Sequence, residues 1–274
     1  MKTFSAFADE ISSELDEQIA ALKENGVENI EFRSVWKKNV LTLSEDEIRK
    51  VKRAADSNGL GFSAIGSPIG KFPLDGDFNE ELERVKRALD YAAIIGAPYV
   101  RMFSYFIPGD DDPGSHRSQV IDRIGQLLAE AEKTDIVLAH ENEKGIYGDS
   151  ADRCLDLYET FDTPSFTGIF DFSNYVQYGH HPYEECWTKL KQYISYFHVK
   201  DSRLSDQKVV PAGEGDGDVE QIFADAFADG FSGYLTLEPH LKPDEGYGST
   251  RPELFKSAAD ALKRVLESLD VNTV

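Results

Sequence analysis

Short runs of apolar residues alternate with longer amphipathic stretches along the chain, and polar loops separate them. The short runs, 3–8, 28–32, 60–65, 97–103, 135–140, 166–171, 194–199 and 233–238, hold many Val, Ile, Phe and Tyr, as strands buried on both faces do. The longer stretches, 13–25, 44–57, 79–95, 115–132, 150–160, 183–191, 218–229 and 251–268, predict helices. In 79–95, for example, Leu82, Val85, Leu89, Ala92 and Ala93 recur at helical spacing. Ser44-x-x-Glu47 and Thr250-x-x-Glu253 have the form of capping boxes, the second with an early Pro252, and Asp218-x-x-Gln221 marks a third helix start. Gly26, Gly59, Gly96 and Gly230 follow helical runs, where a left-handed residue ends a helix at little cost. Strand and helix alternate eight times with no linker-like or low-complexity segment, which predicts one α/β domain over 1–274, a single (β/α)8 TIM barrel. A doubly wound open sheet is the alternative, but no G-x-G-x-x-G follows the first strand to support a dinucleotide site.

The ends of the last four predicted strands carry the candidate chemistry. They read Leu138-Ala139-His140-Glu141, Ile169-Phe170-Asp171, Tyr196-Phe197-His198-Val199 and Leu235-Thr236-Leu237-Glu238. From 141 to 171, 171 to 198 and 198 to 238 the intervals are 30, 27 and 40 residues, the lengths of single strand–helix units. All strands of a parallel barrel end on one face, so Glu141, Asp171, His198 and Glu238 would converge over one opening. Two Glu, one Asp and one His make a mixed oxygen and nitrogen set suited to a divalent cation.

Composition narrows the partners. The chain has 274 residues, 41% hydrophobic and 29% charged, which suits a globular protein with a substantial core. No stretch approaches the roughly 18 apolar residues of a membrane span. Met1-Lys2-Thr3 leads straight into a strand-like run without a signal-peptide core, so a cytoplasmic location is expected. Acidic residues outnumber basic ones 50 to 29, a net charge of −21 that repels nucleic acid and anionic membranes. Cys154 and Cys186 form no Cys-x-x-Cys pair and are expected to be reduced, buried thiols.

His140-Glu141-Asn142, Asp171-Phe172-Ser173-Asn174, Phe197-His198-Val199-Lys200-Asp201 and Leu237-Glu238-Pro239 resemble the xylose isomerase-like TIM-barrel family. The opening Phe7-Ala8-Asp9-Glu10-Ile11-Ser12 and Ile30-Glu31-Phe32-Arg33 look like that family's first two units, and the resemblance spans nearly the whole chain. That family includes ketose 3-epimerases, hydroxypyruvate isomerase, inosose dehydratase and, more distantly, endonuclease IV. The resemblance implies one divalent metal held by Glu141, Asp171, His198 and Glu238, with Mn, Mg or Co favoured over Zn. It further implies that Glu141 and Glu238 form the proton-transfer pair, and that the protein can be a homo-oligomer. The expected partner is a small sugar or polyol ketone. The expected activity is isomerisation or epimerisation through an enediolate, with an inosose-type dehydratase as the nearest rival and an endonuclease IV-like phosphodiesterase as a remote one. A sugar-binding barrel without catalysis is a further alternative.

Other candidates are less specific. Strand alternation points His140 away from Glu141, which favours support of the site over ligation. Asn174 and Lys200 are candidate pocket residues. Arg203 is the nearest match to an arginine that contacts substrate hydroxyls in the ketose epimerases. His181, in the loop after the sixth strand, could reach substrate or stay solvated. Glu31 and Arg101 could line the mouth or form an internal ion pair. Ala212-Gly213-Glu214-Gly215-Asp216-Gly217-Asp218 lies where many barrels bind phosphate, but its acids disfavour that ligand. A mobile lid or a capping turn is expected there, together with a non-phosphorylated substrate.

Overall fold

The computed structural model describes residues 3–109, 111–241 and 250–270. Eight parallel strands close into a barrel: β1 (Thr3–Ala6), β2 (Asn29–Phe32), β3 (Gly61–Ile69), β4 (Tyr99–Met102), β5 (Val137–Glu141), β6 (Phe166–Asp171), β7 (Ile194–Val199) and β8 (Tyr234–Leu237). Each strand pairs with its sequence neighbours, and β1 pairs with β8 to close the ring. The long crossover helices are α1 (Leu15–Glu24), α2 (Glu45–Ser57), α3 (Phe78–Ile95), α4 (Arg117–Ala131), α5 (Ala151–Thr160), α8 (Val219–Ala228) and α9 (Arg251–Ser268). The predicted (β/α)8 barrel is therefore present, and each predicted strand and helix window holds an element of its type. Among the described residues no helix is long and apolar enough to cross a membrane. Cys154 and Cys186 are buried free thiols.

The sixth unit departs from the prediction. A short helix, α6 (Phe172–Gln177), follows β6 directly, and the window 183–191 holds a π-helical turn, Pro182–Trp187, leading into α7 (Thr188–Leu190). Pro182 has no N–H to give and sits at the start of that turn. Of the predicted caps, Ser44 and Glu47 form a full capping box on α2. Thr250 and Asp218 do not cap α9 and α8 with their side chains. Thr250 Oγ1 instead donates to Glu10 Oε2 at 2.6 Å, and the Asp218 carboxylate accepts from the Tyr183 N–H at 3.1 Å. Tertiary partners have taken both side chains from their helices.

Period-two alternation sorts the strands into two faces. Outward residues such as Phe170, Phe197 and Leu235 pack under the helices, where Phe170, Phe172, Phe197, Trp187 and Phe223 interlock. Inward residues fill the barrel: Ala64, Ala139, Ile169 and Tyr196 form one small apolar layer, with Tyr99 and Tyr234 packed against it. A register shift between Ile30 and Glu31, against β3, lets Glu31 point inward as well.

The acidic glycine segment is neither a lid nor a phosphate site. Asp201 is fully buried, and its carboxylate accepts from the backbone N–H groups of Gly213, Gly215 and Gly217 at 3.0, 3.0 and 2.8 Å and from Ser202 at 2.8 Å. A Cβ on Gly215 or Gly217 would approach Asp201 Oδ1 to 2.5 or 2.6 Å, so glycine is required at both places. The backbone cradle that could take a phosphate is filled by an internal anion. Around it, Glu214 pairs with Arg264 and Asp216 accepts from the Leu204 N–H.

Replacing Asp201 with alanine leaves those donors without their acceptor. The expected loss of stability is about 3 kcal/mol or more, since one buried unsatisfied group costs about 1–3 kcal/mol. Urea unfolding of the two proteins measures it, and a loss below about 0.5 kcal/mol would show that water replaces the carboxylate without cost.

Candidate functional site

The four strand-end residues meet. Glu141, Asp171, His198 and Glu238 are buried, and each offers a donor atom within 4.8 Å of the others. Their convergence follows from parity. Glu141, Asp171, His198 and Glu238 each lie two positions beyond an inward residue, namely Ala139, Ile169, Tyr196 and Thr236.

Each donor is held by groups that aim it. Asp171 caps α6: its Oδ1 accepts from the Asn174 N–H at 2.8 Å, which leaves Oδ2 turned to the cluster. Asn142 locks the Asp171 backbone from both sides, its Oδ1 accepting from Asp171 N at 2.9 Å and its Nδ2 donating to Asp171 O at 3.0 Å. Asn174 Nδ2 donates to Asn142 O at 2.8 Å and reaches Glu141 Oε1 at 3.4 Å. His198 Nε2 lies 3.0 Å from Glu31 Oε2, which also accepts from the Tyr196 hydroxyl at 2.6 Å. Tyr196 is held in turn by Ser63 and Thr236 at 2.7 and 2.8 Å. With Nε2 given to Glu31, Nδ1 faces the cluster, 3.0 Å from Glu141 Oε1.

His198 Nδ1 and Asp171 Oδ2 are fully buried and face the shared space, where their near partners are charged groups: Glu141 Oε1 at 3.0 Å from Nδ1 and Lys200 Nζ at 2.8 Å from Oδ2. Three carboxylates and an imidazole nitrogen around that space fit a divalent cation.

Basic groups ring the cluster. Arg101 Nη1 donates to Glu141 Oε2 at 3.0 Å, while its other nitrogens donate to the Ser67 and Gly66 carbonyls, both at 3.3 Å. Arg33 bonds Asp9 at 2.9 Å and Glu238 Oε1 at 3.0 Å. Both guanidinium groups lie over the Phe7 ring, at 4.4 Å for Arg33 and 4.9 Å for Arg101. Gly66 makes room for this stack, because a Cβ there would come within 2.8 Å of Phe7. Lys200 Nζ lies 2.8 Å from Asp171 Oδ2 and 2.8 Å from Glu238 Oε2. His240 Nε2 is 2.9 Å from Glu10 Oε1 and 3.5 Å from Glu238 Oε1.

The field divides the carboxyls. Burial pushes Glu141 up, but His198 and Arg101 outweigh it and hold the group below the usual carboxylate range. Glu238 is also held low, as Lys200, His240, His198 and Arg33 overcome its burial. Asp171 is pushed up to about 7 by burial and by the charges of Glu141 and Glu238, against Lys200. His198 is raised to about 10, since Glu141 and Glu31 overcome its burial. In sum, the site carries bound protons that a cation would have to displace.

Above the cluster lies a cavity of about 210 Å³, whose walls include Lys71, Arg101, Glu141, Lys200, Glu238 and His240. Of the weaker sequence candidates, Lys200 and Asn174 join the site. His140 faces outward from the barrel, 3.0 Å from Ser104 Oγ and 3.4 Å from the Tyr158 hydroxyl, and burial pushes it down to about 3. It is a neutral support behind Glu141. Arg203 is exposed and pairs with Asp206 at 3.1 Å, and His181 is exposed in its loop; neither lines the cavity. Glu31 and Arg101 lie 3.9 Å apart inside the mouth. Arg33, Lys71 and His240 were not among the predicted site residues. Counting by two past Glu31 and Glu238 would have found Arg33 and His240, which continue the inward parity. Lys71 has no such signal.

No curated protein matches the chain by sequence. Among solved structures it resembles a D-tagatose 3-epimerase-like protein, with a TM-score of 0.79 at 16% identity over 98% of each chain. A xylose isomerase-like TIM barrel protein from Mycobacterium smegmatis in complex with magnesium matches with a TM-score of 0.72 at 19% identity over 97% of each chain. The probable 3-DHS dehydratase AsbF from Bacillus anthracis matches with a TM-score of 0.75 at 16% identity, over 95% of this chain and 98% of that one. At such identities the likeness is one of fold. The family model described as xylose isomerase-like TIM barrel matches residues 19–265, and the chain belongs to that family.

Proposed function

We propose that this protein is a divalent-metal-dependent isomerase or epimerase of a small keto-sugar or polyol ketone. The observation that carries the reading is the convergence of four buried strand-end residues, Glu141, Asp171, His198 and Glu238, whose donor atoms lie within 4.8 Å of one another. Glu141, Asp171, His198 and Glu238 would hold the metal. When bound, the cation neutralises negative charge that develops on substrate oxygens as a proton leaves the carbon between them.

The glutamates reach the cavity from the end of β5 and from just beyond β8, strands separated by β6 and β7 in the barrel. One oxygen of each faces the cluster, and the other is held by an arginine: Glu141 Oε2 by Arg101, Glu238 Oε1 by Arg33. The arginines help to fix their rotamers, while His198 for Glu141 and Lys200 for Glu238 do more than the arginines to hold the carboxyls low. One can take the α-proton from the substrate, and the other, once it has picked up a proton from water, can deliver it to the opposite face, which inverts the centre. Opening onto water is limited, since both glutamates are buried.

A lyase reading shares the first half of this chemistry, and a probable dehydratase has the same fold. The same carboxylate abstracts the α-proton, and the β-hydroxyl then leaves as water with the proton that this carboxyl group now holds. A three-metal phosphodiesterase is disfavoured by the histidines. His140 faces away from the cluster, while His116 and His180 pair with Asp111 and Glu185 outside the cavity.

Protein reloaded with Mn²⁺ should hold about one equivalent by elemental analysis, since the two candidate ligand groups, Glu141, Asp171, His198 and Glu238 and the smaller Glu10, Glu238 and His240, share Glu238. Asp171→Ala and His198→Ala should lose it, and full occupancy in both would refute the assignment. Because Asp171 and His198 both hold protons more firmly than usual, affinity should fall as pH drops from 8 to 6, and metal uptake should release protons into weakly buffered solution.

Glu141→Gln and Glu238→Gln should still bind metal while losing about 10²–10⁴-fold in kcat. Deuterium exchange from solvent into substrate, followed by NMR, separates proton abstraction from net turnover. An epimerase with one base per face leaves exchange from one epimer intact in one variant. Normal exchange and turnover in both variants would remove the two-carboxylate mechanism.

Asp201 fills the glycine cradle, so a free ketose should show a higher kcat/KM than its phosphate ester. A preference of about tenfold or more for the ester would assign phosphate binding to Lys71 and Lys200 instead.

A further inference from the structure

Lys200 occupies a position that a proton-transfer mechanism does not explain. Its ammonium lies 2.8 Å from both Asp171 Oδ2 and Glu238 Oε2, and its side chain is 5% exposed. The two residues that carry those oxygens belong to the ligand cluster. The neighbouring arginines grip different atoms: Arg101 holds Glu141 Oε2, and Arg33 holds Glu238 Oε1. Each arginine is also anchored elsewhere, Arg101 by the Ser67 and Gly66 carbonyls and Arg33 by Asp9. Among the described residues, Lys200 Nζ has its ion pairs only with the two cluster carboxylates.

An ammonium and a divalent cation seek the same oxygens, and like charges repel strongly where water is excluded. Of the basic groups here, lysine is suited to exchange. It is a compact charge on a flexible four-carbon stem, while a guanidinium forked between several acceptors is fixed. Lys200 also lines the cavity, which gives its head somewhere to go.

We propose that Lys200 is an exchangeable counter-ion of the ligand cluster: its ammonium and the divalent metal compete for Asp171 Oδ2 and Glu238 Oε2, and metal entry turns the ammonium into the cavity to meet substrate oxygens. This inference rests on the metal reading of the cluster. The lysine stays charged throughout, so the exchange alters its partners and not its proton. Lys200 thus sets the metal concentration at which the site fills. It also adds a cation to the substrate cavity only when the metal is in place, which makes substrate binding depend on metal through this one side chain.

A lysine that merely held the ligands in position would have the opposite effect on metal affinity, and this makes the test decisive. Chelator-treated full-length protein and its Lys200→Met and Lys200→Gln variants are titrated with Mn²⁺ by calorimetry. Both variants should bind Mn²⁺ at least tenfold more tightly than the parent. Equal or weaker binding in the variants, with normal binding in the parent, overturns the inference and leaves the metal reading standing. Absence of Mn²⁺ binding in all three proteins overturns the metal reading itself and the inference with it. Should the variants fail to fold, the parent still gives an answer through acetylation by an N-hydroxysuccinimide ester, read by peptide mass spectrometry. Labelling of Lys200 should rise severalfold on saturation with Mn²⁺, while exposed Lys133 stays constant as the reference. Unchanged Lys200 labelling in Mn²⁺ overturns the exchange.

Discussion

The structure is organised around the burial of carboxylates at one end of the barrel. Asp9, Glu10, Glu31, Glu141, Asp171 and Glu238 are each at most 5% exposed. An unpaired buried carboxylate is among the costliest groups a fold can hold, and removing one partner of a buried pair is strongly destabilising. Arg33, Arg101, Lys200, His198 and His240 offset most of that charge. Nearby features follow from that need. Phe7 offers its ring to two guanidinium groups, Gly66 forgoes a side chain so that ring can fit, and Ser67 and Gly66 turn their carbonyls toward Arg101. Such an arrangement contributes little net stability. What it provides is a set of fixed, ionised oxygens with a known direction.

The same requirement reaches down into the barrel. Part of the interior is polar: Ser5, Ser63, Tyr196 and Thr236 form a chain of short hydroxyl contacts that ends on Glu31. Glu31 in turn fixes the His198 ring. A barrel filled only with aliphatic layers would pack as well but would leave the imidazole free to rotate. The polar column trades some apolar burial for one orientation of one ring.

Asp201 shows the same economy outside the barrel. It ties the glycine turn before α8 to the end of β7, two residues from Glu238's partner Lys200's own neighbour Val199, and so steadies the strand end that carries His198. The backbone amides that many barrels turn toward a ligand are here spent on the fold.

The barrel and the convergence of the four strand-end residues could be read from the chain because both rest on local periodicity. Strand parity places Glu141, Asp171, His198 and Glu238 on the inner face whatever their neighbours are, and it places His140 on the outer one. The clamps that set their charge and direction could not be read in that way. Arg33 meets Glu238 across 205 residues of sequence, and Glu31 meets His198 across 167. A long flexible side chain declares neither its partner nor its direction in the sequence, and only the closing of β1 against β8 brings those groups within reach. For the same reason Thr250 and Asp218 looked like caps, and Arg203 and His181 like substrate contacts, until the fold gave each a nearer partner or left it in solvent. The sequence by itself determined which residues face the barrel's interior, because that depends on a period of two; the tertiary structure alone decided which charges meet there, because Coulomb contacts depend on distances that only the closed barrel sets.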